Sequence, residues 1–208
     1  MSRNLKLFFL VTLALTAVGA QASSVTVFGA VWSVPAATNA VYSSLPTGPP
    51  NITWAFNTSG PLNFSSLNDA SVYAFFESGG VPASAFAGSD MGLNNTYTLM
   101  TVNGFNMPSG TMFTLGHDDG ASFYVNQTAV PFYTNPGPTS FSVNTFTYSG
   151  PSIVNGTLYM VYGECCGGPA YFQTNLPTGG NIPEPGTLVM LGSGVLGLAG
   201  LLRRKINL

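Results

Sequence analysis

The sequence predicts an all-β fold, a single β-sandwich of jelly-roll-like character, and three observations support this prediction. Short runs rich in β-branched and aromatic residues recur along the chain, and residues typical of turns separate them. The stretch between residues 23 and 181 shows no amphipathic helical stripe. Its length suits one domain with a sizeable core rather than two domains.

The β-rich runs predict eight strands. Their spacing favours two packed antiparallel sheets whose inward-facing side chains form the core. The expected strands are Ser24–Val34, Thr53–Phe56, Ser71–Phe76, Tyr97–Val102, Thr111–Leu115, Ser122–Val125, Phe141–Tyr148 and Thr157–Tyr162.

Charge is almost absent from the body of the chain. Charged residues make up 6% of the sequence, against about 25% in an average soluble domain. Residues 7 to 202 contain no Lys or Arg. Because nothing there can neutralise phosphate groups, nucleic acid is excluded as a partner, and binding to an anionic membrane surface is disfavoured.

The N-terminus, residues 1–22, reads as a secretory signal peptide. Arg3 and Lys6 provide the positive region, and the apolar run Leu5–Val18 follows. Ala20 and Ala22 form a small-x-small pattern, so signal peptidase is expected to cleave between Ala22 and Ser23. The alternative, a membrane anchor, would need a longer apolar run.

The C-terminus, residues 182–208, combines three features in a fixed order. Pro183-Glu184-Pro185 comes first, the apolar run Leu188–Leu202 follows, and a basic cluster of Arg203, Arg204 and Lys205 ends it. The apolar run has about the minimum length of a transmembrane helix. The positive-inside rule places the basic cluster in the cytoplasm and the Pro-Glu-Pro tripeptide at the outer face.

This order of features resembles the PEP-CTERM sorting signal of Gram-negative bacteria. The resemblance implies that a membrane-embedded exosortase recognises Pro183, Glu184 and Pro185 and removes the tail. The protein would then be anchored only transiently in the inner membrane before it reaches the cell surface or the extracellular space. Such proteins are typical of bacteria that make extracellular polysaccharide, the material of a biofilm matrix.

Two adjacent acids form the chemically most distinctive segment of the domain. Asp118 and Asp119 precede Gly120 in a turn between two predicted strands, and their like charges need compensation by a cation or by backbone amides. Calcium would accept carboxylate, Asn and carbonyl oxygens. In the alternative, Asp118 caps the loop and Asp119 serves only the turn. His117 is expected to be a hydrogen-bonded surface residue of the same loop.

The segment Asp118-Asp119-Gly120, with Phe123-Tyr124-Val125 and Asn126 after it, resembles the PA14 and GLEYA group of β-sandwich domains. Residues 159–164 and 169–172 fit the closing hairpin of that group. The resemblance implies, for lectin members, a calcium ion held by the two aspartates, with Asn126 and Asn175 as candidate further ligands. Many relatives keep the aspartates for the fold alone.

Cys165 and Cys166 are adjacent and are the only cysteines of the chain. Export favours disulfide formation, so we expect a vicinal disulfide at a loop tip. Linkage to other molecules and free thiols are the alternatives. A zinc site would need more ligands than two cysteines and one histidine supply.

The sequence therefore predicts an exported domain, residues 23–181, that is lectin-like and not an enzyme. Glycan binding in the extracellular polysaccharide, with calcium as a candidate cofactor, is the first hypothesis; the alternative is a structural or adhesive matrix protein without a defined ligand site. No nucleophile is recognisable, and the two converging carboxyls of a glycosidase are not evident. The aromatic residues considered for sugar stacking, or else for the core, are Trp32, Trp54, Tyr133 and Tyr171.

Overall fold

Two antiparallel sheets make up the domain in the computed structural model, which describes residues 24–68 and 70–176. Seven strands form the first sheet in the order β4-β2-β1-β5-β10-β7-β8, and four form the second in the order β3-β11-β6-β9. The strands are β1 Val25–Ser33, β2 Ile52–Thr58, β3 Leu62–Ser66, β4 Ala87–Gly88, β5 Thr96–Met107, β6 Met112–Asp118, β7 Gly120–Val125, β8 Tyr133–Asn135, β9 Ser142–Thr147, β10 Ile153–Glu164 and β11 Ala170–Thr174. The predicted β-sandwich is confirmed.

The core lies between the two sheets and is rich in aromatic rings. Alternate residues of each strand face inward, as the two-residue period of a strand requires. Met100 and Met160 of the seven-stranded sheet and Phe64, Phe113 and Phe172 of the four-stranded sheet are buried in one cluster. Close ring pairs such as Phe64 with Phe172 add to the stability gained from apolar burial.

The segment Ser71–Phe76, expected to be a strand, is a helix, and this expectation was wrong. Helix α1 spans Val72–Glu77, and the Ser71 side chain caps it by accepting a hydrogen bond from the Ala74 amide. Val72, Phe75 and Phe76 are buried at helical spacing. Among the residues described, no helix is long and apolar enough to cross a membrane.

A loop covers part of the outer face of the seven-stranded sheet. Residues 34–45, called here the covering loop, pack Ala37 and Ala40 against the outward side chains of β5, β7 and β10. Its backbone is held by tyrosine hydroxyls: the amide of Asn39 donates to Tyr97, and the amide of Tyr42 donates to Tyr124, each at 3.0 Å. The outward tyrosines of this sheet are thus used to hold the loop.

The chain passes from one sheet to the other at two neighbouring corners. The first corner joins β6 to β7 at Asp119, and the second joins β10 to β11 at residues 165–169. Gly120 and Gly163 are direct partners in the pairing of β7 with β10, so the corners lie side by side. Because β10 and β11 lie in different sheets, the closing hairpin expected from the PA14 resemblance is instead a crossing between sheets.

Candidate functional site

Asp119 turns into the protein rather than projecting from a loop. Its backbone has a positive φ of 47°, whereas the residues of β6 and β7 on either side do not have positive φ. The resulting kink at Asp119 directs the chain into the other sheet. The Asp119 carboxylate accepts a hydrogen bond from the Cys165 amide at 2.6 Å, and only 6% of the residue is exposed. Asp119 therefore joins the two corners.

A second carboxyl group, that of Glu164, meets Asp119 inside this corner. The two side chains hydrogen bond, and Glu164 is buried at the end of β10. Burial raises the pKa of Asp119, although hydrogen bonds from Cys165 and Glu164 oppose the shift. Because carboxylate oxygens only accept hydrogen bonds, the pair needs a shared proton to make this contact.

Tyr162 connects the Asp118 backbone to the buried carboxyl pair. Its hydroxyl donates to the carbonyl oxygen of Asp118 at 2.7 Å and also hydrogen bonds to Glu164. Burial, followed by the negative charge of Glu164, raises the pKa of Tyr162 well above its usual value. The phenol therefore keeps its proton and remains a donor to the corner.

His117 is buried in β6, so the expectation of a surface loop residue was wrong. Its Nδ1 lies 2.6 Å from the carbonyl oxygen of Asp119, and its Nε2 lies 2.7 Å from the Tyr133 hydroxyl. A carbonyl only accepts, so Nδ1 carries the hydrogen, and in the neutral ring Nε2 accepts from the tyrosine. Both ring nitrogens are used by the fold, and burial lowers the pKa of His117.

Asp118, unlike Asp119, lies on the outward face of its sheet. It is half-buried at the end of β6, where register places it opposite Tyr171 on the outward face of the four-stranded sheet. One carboxylate oxygen accepts a hydrogen bond from the Asp119 amide at 3.1 Å. Of the two aspartates, Asp118 is the one that a ligand from solvent would meet.

The residues proposed for calcium do not converge on one point in this arrangement. Asp118 faces outward, while Asp119 is engaged with Cys165 and Glu164. Asn126 lies at the far end of β7, about 20 Å along the strand, and its side-chain oxygen accepts from the Thr157 amide. Within the two described ranges, no group of three or more His, Cys, Asp or Glu side chains is arranged to hold a metal. The donor set as it stands does not fit a calcium ion.

Asn175, the other candidate ligand, is also separated from the aspartates. Its side-chain oxygen accepts a hydrogen bond from the Thr114 amide at 2.5 Å. Thr114 lies four residues before Asp118 on β6, which is about 13 Å along a strand. The Asn175 side chain thus extends the pairing of β11 with β6.

Cys165 and Cys166 are joined in a disulfide. Cys165 is buried, and its amide is the donor to Asp119, whereas Cys166 is exposed. Cys166, Gly167 and Gly168 all have positive φ, so a tight loop follows the bridge and leads into β11. The disulfide ring is therefore part of the second corner.

Of the four aromatics considered for sugar stacking, only Tyr171 lies on an open sheet face. Trp54 belongs to the core, and Trp32 is buried with its indole nitrogen bonded to the Gly48 carbonyl oxygen at 2.9 Å. Tyr133 packs beside His117. Tyr171 instead contacts the exposed ring of Phe141, with centroids 4.7 Å apart.

Sequence reasoning missed Glu164 and Tyr162 as partners of the aspartates. The two residues are far from Asp119 in sequence, so no local pattern joins them. One signal was present: Glu164 is the first charged residue after Asp119, so it stands alone at the end of a long uncharged stretch. The predicted cleavage residues Ala22 and Ser23, and the sorting residues Pro183, Glu184, Pro185, Arg203 and Arg204, lie outside the described residues.

Comparison with known families identifies the C-terminal segment. Residues 181–205 match the PEP-CTERM protein-sorting motif. The chain therefore carries a signal for export and membrane-associated sorting, as its sequence predicted. None of the curated proteins compared with the chain matches it.

Solved structures show the fold of the domain. A PA14 sugar-binding domain from an RTX adhesin superimposes with a TM-score of 0.51 at 15% identity, covering 74% of this chain and 90% of that one. The PA14 domain of the antifreeze protein MpAFP gives a TM-score of 0.49 at 15% identity, covering 72% of this chain and 81% of that one. The described domain has the PA14 β-sandwich fold.

Proposed function

We propose that the exported domain is a non-catalytic carbohydrate-binding module that acts in extracellular polysaccharide. The sorting motif supports delivery out of the cell, and one of the similar folds is named a sugar-binding domain. After tail removal by exosortase, the domain would act at the surface of a Gram-negative cell or outside it. Its transient inner-membrane anchor and its cleavage after Ala22 belong to the same proposal.

The observation that carries this proposal is a hydrogen-bonded corner that holds Asp118, half-buried, on the outward face of the four-stranded sheet. Hydrogen bonds from Tyr162 and from the Asp119 amide fix the Asp118 backbone and carboxylate. Tyr171 lies beside Asp118 on the same face. A fixed acceptor next to an aromatic ring suits a sugar, which offers hydroxyl donors and apolar ring faces.

Polysaccharide retention tests the proposal. The exported and processed protein is run by affinity electrophoresis through gels that contain dextran, laminarin, galactomannan or alginate. We expect retardation by at least one polysaccharide, and Asp118→Asn should weaken it because an amide replaces a carboxylate acceptor. Glu77→Gln, an equivalent change at the exposed end of α1, is the control. Unretarded wild-type protein would contradict the proposal.

Calcium dependence is a more specific part of the proposal, and it can be tested with the same exported and processed protein. A metal that binds only the folded state raises thermal stability by mass action. Because Asp119 is engaged with Cys165 and Glu164, a site would have to form by rearrangement of the corner. An unfolding midpoint that rises with calcium and falls with chelator, in wild type but not in Asp119→Asn, would show such a site. Retardation that is unchanged by chelator would exclude calcium from glycan binding.

A structural or adhesive matrix protein is the second candidate, and strand β9 favours it. β9 is an edge strand of the four-stranded sheet, and nearly all of its residues are exposed. No charged side chain occurs between residues 120 and 163, so the edge lacks the charges that usually prevent strand pairing between copies. Concentration-dependent self-association without polysaccharide retention would support this function over the first.

A further inference from the structure

The outward face of the four-stranded sheet is open. Register places Tyr171 opposite Asp118, and Gln173 opposite Gly116, in adjacent rows of that face. Val143 of β9 completes the second row beside Gly116. Asp118, Tyr171 and Gln173 are half-buried in these rows, and Val143 remains 48% exposed. The face runs along β6 for about 20 Å at the usual rise of a strand.

An aromatic pair marks one end of this face. Phe141 directly precedes β9 and is 41% exposed, and its ring contacts that of Tyr171 from the far side of β6. Strand β6 lies between β11 and β9, so the two rings approach each other across the row that contains Asp118. Two aromatic rings that meet at an open surface, instead of in the core, provide an apolar patch beside a carboxylate.

Gly116 has no side chain, so the row that it forms with Gln173 and Val143 has no projection at its centre. A Cβ at this glycine would lie 2.9 Å from the Gln173 side chain and 3.0 Å from the Val143 side chain, so both neighbours lean into its place. Among the described residues, neither the side-chain amide of Gln173 nor the hydroxyl of Tyr171 forms a hydrogen bond to protein. The strip formed by Phe141, Tyr171, Asp118, Gln173 and Val143 thus joins apolar surface to free polar groups.

The outer face of the seven-stranded sheet differs from this strip. Its tyrosines Tyr97 and Tyr124 hold the covering loop through their hydroxyls. Phe28 remains as an exposed ring at 47%. Its cross-strand partners on that face, Ala55 and Thr101, are small and bring no second ring. Phe28 lines a surface cavity together with Ala55 and Thr101, and it serves as a control for an exposed ring that, among the described residues, has neither a carboxylate nor a second ring beside it.

Charge decides which polysaccharides suit the strip. No Lys or Arg occurs between residues 7 and 202, and Asp118 is the charged residue of the strip. An anionic chain would meet repulsion without any compensating cation. A neutral chain instead presents apolar ring faces to Phe141 and Tyr171, and hydroxyls to Asp118 and Gln173.

We propose that this strip binds a neutral polysaccharide chain lying along β6, with its sugar rings against Phe141 and Tyr171. The strip is a site within the proposed carbohydrate-binding function and rests on that function. It predicts which face of the domain is used, and it predicts discrimination against acidic polymers.

Alanine variants of the exported and processed protein test the strip by affinity electrophoresis in dextran, laminarin and galactomannan, with alginate as the anionic polymer. Phe141→Ala and Tyr171→Ala should each weaken retardation by a retaining neutral polymer about tenfold, as expected for a central aromatic contact. Tyr171→Phe, which keeps the ring, should lose less than Tyr171→Ala. Phe28→Ala should remain within about twofold of wild type.

Thermal unfolding of each variant distinguishes lost binding from lost folding. If an aromatic substitution prevents folding, Gln173→Ala is the additional variant. Gln173→Ala should weaken retardation several-fold. Wild-type retention that persists in Phe141→Ala, Tyr171→Ala and Gln173→Ala would overturn the strip and leave the carbohydrate-binding function intact. Retention by alginate alone would overturn the neutral class. Wild-type protein that no polymer retards would overturn both proposals.

Discussion

Burial shifts the pKa values of Asp119 and His117 in opposite directions, so the two residues affect stability with opposite pH dependence. Burial raises the pKa of Asp119 above 3.8, so its contribution is full below that pH and is lost as pH rises through the folded-state pKa. Burial lowers the pKa of His117 below 6.5, so its contribution is full above that pH and is lost as pH falls. The stability of this corner therefore responds in opposite senses to the titration of its two buried groups.

His117 offers a direct test, because it is the only histidine of the chain. Nitrogen-detected NMR of an untagged protein should show a neutral ring with its hydrogen on Nδ1, since the Asp119 carbonyl oxygen only accepts. Its pKa should lie below 6.5 because the ring is 2% exposed. A ring that titrates at or above 6.5, or that carries its hydrogen on Nε2, would contradict the buried geometry.

The sequence located the two aspartates but could not assign their separate positions. Asp119-Gly120 is a recognisable turn signal, but the structure has a one-residue bend there, which carries the chain from one sheet to the other. The inward direction of Asp119 depends on the Cys165 amide and the Glu164 carboxyl, which are more than 40 residues away. Partners at that distance leave no trace in a local pattern, so the sequence could not distinguish the inward Asp119 from the outward Asp118.

At the level of elements, the two corners act as one structural unit. Gly120 begins β7 and pairs with Gly163, so the backbones of both crossings run close together. The loop before β9 approaches from the other side, where the Asp119 amide donates to the Thr139 carbonyl oxygen at 3.3 Å. Stability at this corner therefore depends on close backbone packing.

Gly120→Ala tests this packing. A Cβ at Gly120 would lie 2.2 Å from the carbonyl oxygen of Pro136, a backbone atom that cannot rotate away. We expect the free energy of unfolding to fall by about 1–3 kcal/mol, the usual cost of overpacking. Gly137→Ala, where the added Cβ meets nothing within 4 Å, is the control and should stay within about 1 kcal/mol of wild type. Equal denaturation midpoints for the two variants would contradict the close packing.

Strands with clear β-branched or aromatic runs were predicted well, and elements defined by tertiary contacts were not. β1 and β9 lie within one residue of their expected ranges at each end, whereas β10 is twice as long as expected. Residues 72–76 have high strand propensity, yet Asp90 accepts hydrogen bonds from Ser71 and the Tyr73 amide and so fixes the start of a helix. Strands β4 and β8 have two and three residues, too few to show any period.

Across the whole molecule, the basic residues are confined to the two ends and are absent from the domain between them. All five basic residues lie near the ends, in segments expected to be removed during export. The remaining domain has acidic residues and no cations, so it cannot concentrate anionic polymers by electrostatic attraction. Any glycan it holds must be bound by contact, through rings and hydrogen bonds at close range.

Insensitivity to salt is the expected consequence for the whole molecule. Raising NaCl from about 0.1 M to about 1 M shortens the Debye length from about 10 Å to about 3 Å, which suppresses binding that depends on charge attraction. Retardation of the processed protein by a neutral polysaccharide should change by less than about twofold over this range, because no cation contributes. Gln173→Arg supplies the control: a cation on the strip should create retardation by alginate that disappears at high salt. Wild-type binding that itself weakens steeply with salt would mean that the domain attracts its ligand by charge, which the composition of residues 7–202 gives it no means to do.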